Sequence, residues 1–215
     1  MARSGGGDGT SGAVSAHGMA VTPMFETARF RVRELHAHEL PLLQALFERH
    51  PEFFFTVNGR APEPDEARQE FDELPPPHLS YSRRWFGGVF DRDGALQGNA
   101  VVVSDLAVAR TWHVVMYLLA TPLHGTGAAT EVYAALEAWV RAQGARWLRL
   151  GVVVGNTRAE RFWERCGFVE VRRRDNMDTG GRINTLRVMV KPLADGTVDE
   201  YLQQAPRDRP GSPLP

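Results

Sequence analysis

The stretch from Leu118 to Ala129, Leu-Leu-Ala-Thr-Pro-Leu-His-Gly-Thr-Gly-Ala-Ala, constrains this chain more than any other. An apolar strand pattern, Trp112 to Leu119, passes through a glycine-containing turn straight into a long amphipathic pattern, Ala128 to Gln143. There Ala129, Val132, Tyr133, Leu136, Trp139 and Val140 recur at helical spacing, and Gly144 is placed to end the helix. Such a turn presents main-chain N–H groups at a helix start, where the dipole is positive. Small residues let a phosphate oxygen come close to them. A tight strand-to-helix turn needing glycine only for its backbone angles would carry the same residues, and the motif alone leaves both readings open.

The flanking patterns set the fold class. Ala28 to Arg33 alternates as a strand, and His38 to Glu48 places Leu40, Leu43, Leu46 and Phe47 on one helical face. Pro64 to Leu74 reads as a short acidic helix stopped by Pro75, Pro76 and Pro77. Trp85 to Phe90 and Leu96 to Ser104 form a hairpin pattern around Asp93-Gly94. Beyond the long helix come a buried strand, Trp147 to Val154, a short helix, Thr157 to Arg165, and strands at Phe168 to Arg172 and Thr185 to Val190. The order implies an α/β fold, a mixed sheet with helices on its faces. The expected domain spans 26–193, between a disordered N-terminal tail, 1–25, and a polar, Pro-rich tail, 194–215. Met19 or Met24 could serve as the true start.

Several function classes fall away. A net charge of −1 suggests no nucleic-acid partner. The longest strongly apolar stretch, Val114 to Ala120, is far short of the roughly 20 residues that span a bilayer, so no membrane role is expected. One cysteine, Cys166, permits neither an internal disulfide nor a cysteine zinc cluster, and a cytoplasmic location is the default. His36 and His38 lack nearby ligands at metal-site spacing, so no metal is expected. An ATP-binding loop would need Lys then Ser or Thr where Ala128-Ala129 stand, and a dinucleotide fold an acid where Val152-Val153-Val154 stand.

Two motifs together resemble the Gcn5-related N-acetyltransferase (GNAT) family. The family's pyrophosphate loop, Arg/Gln-x-x-Gly-x-Gly/Ala, is matched by His124-Gly125-Thr126-Gly127-Ala128-Ala129 at Gly127 and Ala129. Its second signature is matched by Asn156-Thr157-Arg158-Ala159-Glu160-Arg161-Phe162-Trp163, ending in Gly167-Phe168. The resemblance covers roughly Ala28 to Lys191. It implies a mostly antiparallel central sheet with a splayed parallel strand pair, acetyl-CoA as co-substrate, and a small-molecule or protein amine as acceptor. It also implies that main-chain amides from His124 to Ala129 hold the CoA diphosphate. Asn156 and Trp163 would lie along the pantetheine arm, and an amide near Leu118 or Leu119 would polarise the thioester carbonyl. A homodimer is compatible with this reading.

Two positions depart from the family. His124 stands where Arg or Gln is usual. Trp163 stands where many members carry a Tyr that protonates the departing thiolate, and an indole is no proton source. A thiol of pKa about 8.5 gains only about 2 kcal/mol on protonation at pH 7. Alignment of amine and thioester supplies about 7–11 kcal/mol. Turnover without the Tyr is therefore credible; the competing expectation is a module of the same fold that binds acyl-CoA with weak or no turnover. His113 is the first choice as general base and Asp105 the second. Cys166 falls on the apolar stripe of its helix and reads as packing. The acidic run Glu63, Asp65, Glu66, Glu70, Asp72 and Glu73 reads as a solvated face or as an attraction for a cationic amine. Phe53 to Phe55 could line a pocket or pack, and Arg172 to Arg174 read as ordinary surface.

Overall fold

A computed structural model describes residues 22–214. Residues 1–21, most of the expected N-terminal tail, lie outside the described residues. Ordered structure begins before Glu26, for strand β1 (Phe25–Glu26) pairs with β2 (Phe30–Glu34), and the Phe25 ring packs 5.9 Å from that of Trp139. Helix α1 (Leu40–Arg49) buries Leu40, Leu43, Leu46 and Phe47, the residues that its periodicity singled out. The phenylalanine run forms a separate short helix, α2 (Glu52–Val57). Helix α3 (Glu66–Asp72) ends just before the proline run. The hairpin of β3 (Arg83–Asp91) and β4 (Leu96–Ser104) turns at Gly94, whose φ of 85° favours glycine.

Strand β5 (Thr111–Leu119) leads into α4 (Ala128–Ala142), β6 (Trp147–Val153) and α5 (Thr157–Arg165). Strands β7 (Val169–Asp178) and β8 (Ile183–Pro192) follow. The eight strands lie in the order β1-β2-β3-β4-β5-β6-β8-β7, and β5 with β6 is the parallel pair.

One irregularity interrupts the ladder between β4 and β5. Val101 of β4 faces Met116 and Val102 faces Val114, so Val115 is an extra residue without a partner. A bulge bends its strand and tightens the local twist. Pairing of β5 with β6 runs from Thr111↔Trp147 to Val114↔Leu150 and ceases there, although both strands continue. The bulge also reverses which face each position serves. Before it, Trp112 and Val114 pack with Leu136 of α4 and Trp163 of α5; after it, Met116 and Leu118 pack with Phe47 of α1 and Phe54 of α2. His113, alternating with Trp112 and Val114, is turned away from α4 and α5, beside its register partner Arg149.

The expectation of a C-terminal tail is corrected over its described part. Thr197 and Glu200 cap helix α6 (Val198–Gln204) reciprocally. Tyr201 is buried against Trp147, Val188 and Val190, and the Trp147 indole donates to the Thr197 carbonyl at 2.8 Å. Asp208 is fully buried and accepts from Arg149 Nε and Nη2 at 2.7 and 3.0 Å. Arg172 donates to the carbonyls of Arg207, Ser212 and Leu214. Polar, Pro-rich composition hides these contacts because the partners lie 35 to 59 residues away in sequence.

Candidate active site

A cavity of about 420 Å³ opens where β5 and β6 part. Val115, Met116 and Tyr117 form one bank, and Gly151, Val152 and Val153 the other. Gly151, just past the last strand pair, adds no side chain to the gap. Asn156, Ala159 and Trp163 of α5 close one end. Phe53, Val57, Glu73 and Leu74 stand toward the other, over a floor of His113, Arg149, Arg174 and Arg207.

In the turn before α4 the Gly125 and Gly127 amides have no hydrogen-bond acceptor among the described residues, while the Thr126 amide donates to the Leu123 carbonyl at 3.3 Å. Gly125 and Gly127 have φ of 79° and 81°, and a Cβ added at either would meet nothing within 4 Å. Gly127 is the N-cap and brings no side chain to cap the helix. Thr126 Oγ1 reaches the Ala128 amide only at 3.4 Å. The Ala128 methyl is buried, and the Ala129 carbonyl accepts the Tyr117 hydroxyl at 2.7 Å, which ties the helix start to β5. His124 Nε2 donates to the Leu119 carbonyl at 3.1 Å, while its Nδ1 accepts from Arg158, since a guanidinium only donates. Arg158 thus brings a guanidinium to the loop through His124. The sequence reading missed it; the signal was an Arg two residues after the Asn156 cap.

The sequence offers two starts for α5, a cap at Asn156 or a capping-box spacing of Thr157 with Glu160 one residue later. Asn156 Oδ1 accepts from the Ala159 amide at 3.3 Å, so Asn156, and not Thr157, caps α5, and it lines the cavity. Trp163 lines the cavity edge-on to Tyr117 and Tyr133, each with centroids at 5.5 Å. Leu118 and Leu119 pack into the core, and the cavity wall on β5 stops at Tyr117.

The two base candidates separate. Asp105 lies in the β4–β5 turn, accepts from the Arg110 amide at 2.6 Å, and is not part of the wall. His113 is in the wall, but its Nδ1 accepts from Arg149 Nη1 at 3.2 Å, so the neutral ring carries its proton on Nε2. Burial, then the Arg149 charge, pushes its pKa down to about 3. The acidic run is more than a solvated face. Glu66 is buried against Arg60 at 2.8 Å, Glu70 is pushed up to about 7 by burial and then by Glu73 and Glu66, and Glu73 lines the cavity. The phenylalanines divide: Phe53 lines the cavity, Phe54 is in the core and Phe55 is exposed. Burial pushes the Cys166 thiol up to about 11, which suits packing and not nucleophilic attack. Among the described residues no three metal-ligating side chains gather, and no helix is long and apolar enough to cross a membrane.

Solved structures share this architecture. An acetyltransferase from Thermus thermophilus aligns with TM-score 0.62 and 21% identity, covering 76% of this chain and 97% of that one. Spermidine N-acetyltransferase from Vibrio cholerae, in complex with CoA and spermine, aligns at 0.58 and 18%, covering 76% and 95%. The ribosomal-protein-S18-alanine N-acetyltransferase from Escherichia coli aligns at 0.56 and 14%, covering 79% and 97%. At such identities the likeness establishes the fold. No curated protein matches the chain significantly. The model of the acetyltransferase (GNAT) family matches residues 37–168, more than half of the sequence. The splayed strand pair, the open glycine turn and the Asn156-capped helix therefore belong with that match: this chain is a member of the GNAT acetyltransferase family.

Proposed function

We propose that the protein transfers an acetyl group from acetyl-CoA directly to a primary amine, with no covalent enzyme intermediate. The cavity between β5 and β6 carries this reading, because it runs past the start of α5, at Asn156 and Ala159, to Phe53 and Val57 of α2. The diphosphate of CoA sits on the amides from Gly125 to Ala129, with Arg158 adding charge. The pantetheine arm passes Asn156 and Trp163. The thioester carbonyl meets main-chain donors of the Val115 to Tyr117 stretch, where β5 has left β6, in preference to Leu118 or Leu119.

The acceptor ammonium must lose a proton before attack. Glu73 is the one carboxylate in the cavity wall among the described residues, and it takes this role in place of His113, whose lone pair Arg149 occupies. His113 keeps its ring fixed and offers Nε2–H to the cavity. With Trp163 at the usual Tyr position and the Tyr117 hydroxyl committed to Ala129, the thiolate is protonated from water.

The competing reading, an acyl-CoA-binding module without turnover, rests on His124 and Trp163, the two departures from the family's motifs. Thiol release measured across a panel of amines, with calorimetric CoA binding alongside, separates them. Binding without release from any amine would end the enzymatic reading.

A further inference from the structure

The cavity floor holds more positive charge than the fold consumes. Arg149 is fully engaged: Nε and Nη2 clamp Asp208, and Nη1 donates to His113. Asp208 is equally committed, since it also accepts the Tyr201 hydroxyl. Arg172 spends its donors on carbonyls of the C-terminal segment. Arg84, also in the lining, donates to the carbonyls of Phe71 and Glu70; two guanidinium groups of the lining remain, Arg174 of β7 and Arg207 just after α6. Among the described residues neither forms an ion pair, and Arg174 Nε and Nη2 and Arg207 Nε are buried with no hydrogen-bond partner. The carboxylate that acts on both is Asp208, already saturated by Arg149 and Tyr201. Burial, then the neighbouring Arg207 and Arg149, pushes Arg174 down only to about 10, so it stays a cation at neutral pH. Buried charged donors without an acceptor are costly to keep, and a ligand oxyanion is the group that satisfies guanidinium forks best.

The lining that holds these cations and Glu73 also brings apolar Val57, Met177, Leu186 and Val188. We infer that the acceptor is an amino acid with an apolar side chain, its carboxylate seated on Arg174 and Arg207. The inference rests on the acyl-transfer reading above. The amine, having lost a proton, attacks the thioester carbon. A C–N bond forms as the C–S bond breaks, and the CoA thiolate takes up a proton. Ammonium and thioester thus yield amide, thiol and one released proton, and the acceptor carboxylate is unchanged. A polyamine, cationic throughout, would meet Arg174 and Arg207 with like charge.

Calorimetry with CoA present tests the anion seat without needing turnover. N-acetyl-leucine should bind at least tenfold more tightly than N-acetyl-leucinamide. Arg174→Gln should erase that difference while keeping CoA affinity within twofold, which also reports that the variant folds. In turnover, leucine should exceed leucinamide, phosphoethanolamine and spermidine in kcat/KM by tenfold or more. Equal binding of acid and amide by the wild-type protein overturns the inference, whatever the variant does. So does an Arg174→Gln variant that weakens CoA as much as the acid, or a wild-type preference for phosphoethanolamine or spermidine. If carboxylate selectivity is present but no amine releases thiol, the acyl-transfer reading fails and the anion seat stands.

Discussion

Replacing Asp208 by Asn isolates the buried charge cluster. The side chain is fully buried, and its carboxylate holds Arg149, itself 11% exposed, through two hydrogen bonds at 2.7 and 3.0 Å. Burial alone would raise the Asp208 pKa, but the hydrogen bonds and charge of Arg149, with the Tyr201 hydroxyl, outweigh it and set the value at about 2. The substituted amide would fill the space yet leave Arg149, Arg174 and Arg207 with no counter-charge among them. Removing one partner of a buried ion pair costs about 3–5 kcal/mol. For a chain of this size each kcal/mol lowers Tm by about 2–4 °C, so the expected drop is about 6–20 °C. Urea denaturation should show the midpoint falling with an unchanged slope. The companion variant, Arg149→Met with Asp208→Asn, removes the orphaned charge and should recover most of the loss. A loss below about 1 kcal/mol for the single variant, against the range for breaking a buried pair, or a double variant no better than the single, refutes the reasoning. The pH dependence follows the same logic. A carboxyl moved from 3.8 to about 2 stabilises the fold fully above the higher value and loses that contribution as pH falls through the lower. Asp208→Asn should therefore flatten this acid limb.

Four further outcomes follow from the site. Gly127→Ala meets no atom within 4 Å but must hold φ of 81°, so stability should fall by about 1 kcal/mol while calorimetric CoA affinity falls tenfold or more. Glu73→Gln should lower kcat/KM by about 100-fold with CoA binding unchanged, the usual scale for losing a general base; an unaltered rate would remove Glu73 from the mechanism. His113 is depressed from 6.5 to about 3, so its neutral form stabilises the fold above 6.5 and that contribution fades as pH falls towards 3. His113→Gln should reduce the slope of stability against pH across this window by up to about 1.4 kcal/mol per pH unit, with the shape of the pH–rate profile unchanged. Cys166→Ser should keep full turnover, as measured by thiol release, because the thiol is an unreactive packing group.

The sheet, its order of elements and the glycine turn were legible because each announces itself locally. The apolar positions of α1 and α4 recur at helical spacing, and all four residues expected inside α1 are buried. The Asn156 cap was legible as a residue type but not as a register, since Thr157 and Glu160 offered the same signal one position later. The cavity floor was not legible. Arg172, Arg173 and Arg174 share a charge but have different fates, set by a C-terminal segment that follows them by more than thirty residues: Arg172 holds its carbonyls, Arg173 pairs with Glu170 at the surface, and Arg174 turns inward. His113 shows the same limit. A histidine on the strand before the loop is a natural base candidate, yet whether its nitrogen is free depends on Arg149 across the parallel pairing. The Thr197-x-x-Glu200 spacing was the one local sign that the supposed tail would fold.

Val115 shows how much can hang on a residue count. If it were deleted, Met116 would follow Val114 directly, with Val114 still facing Val102 and Met116 still facing Val101, and β5 would regain an unbroken ladder with β4. Nothing would then turn the strand aside, and β5 and β6 would zip together towards Val153. The product would be a seamless sheet, better bonded than the natural one, with the cavity between β5 and β6 sewn shut. The opening is thus a fault in strand pairing that the fold keeps, and a mutation that repaired it would yield a firmer molecule with no room between the two strands.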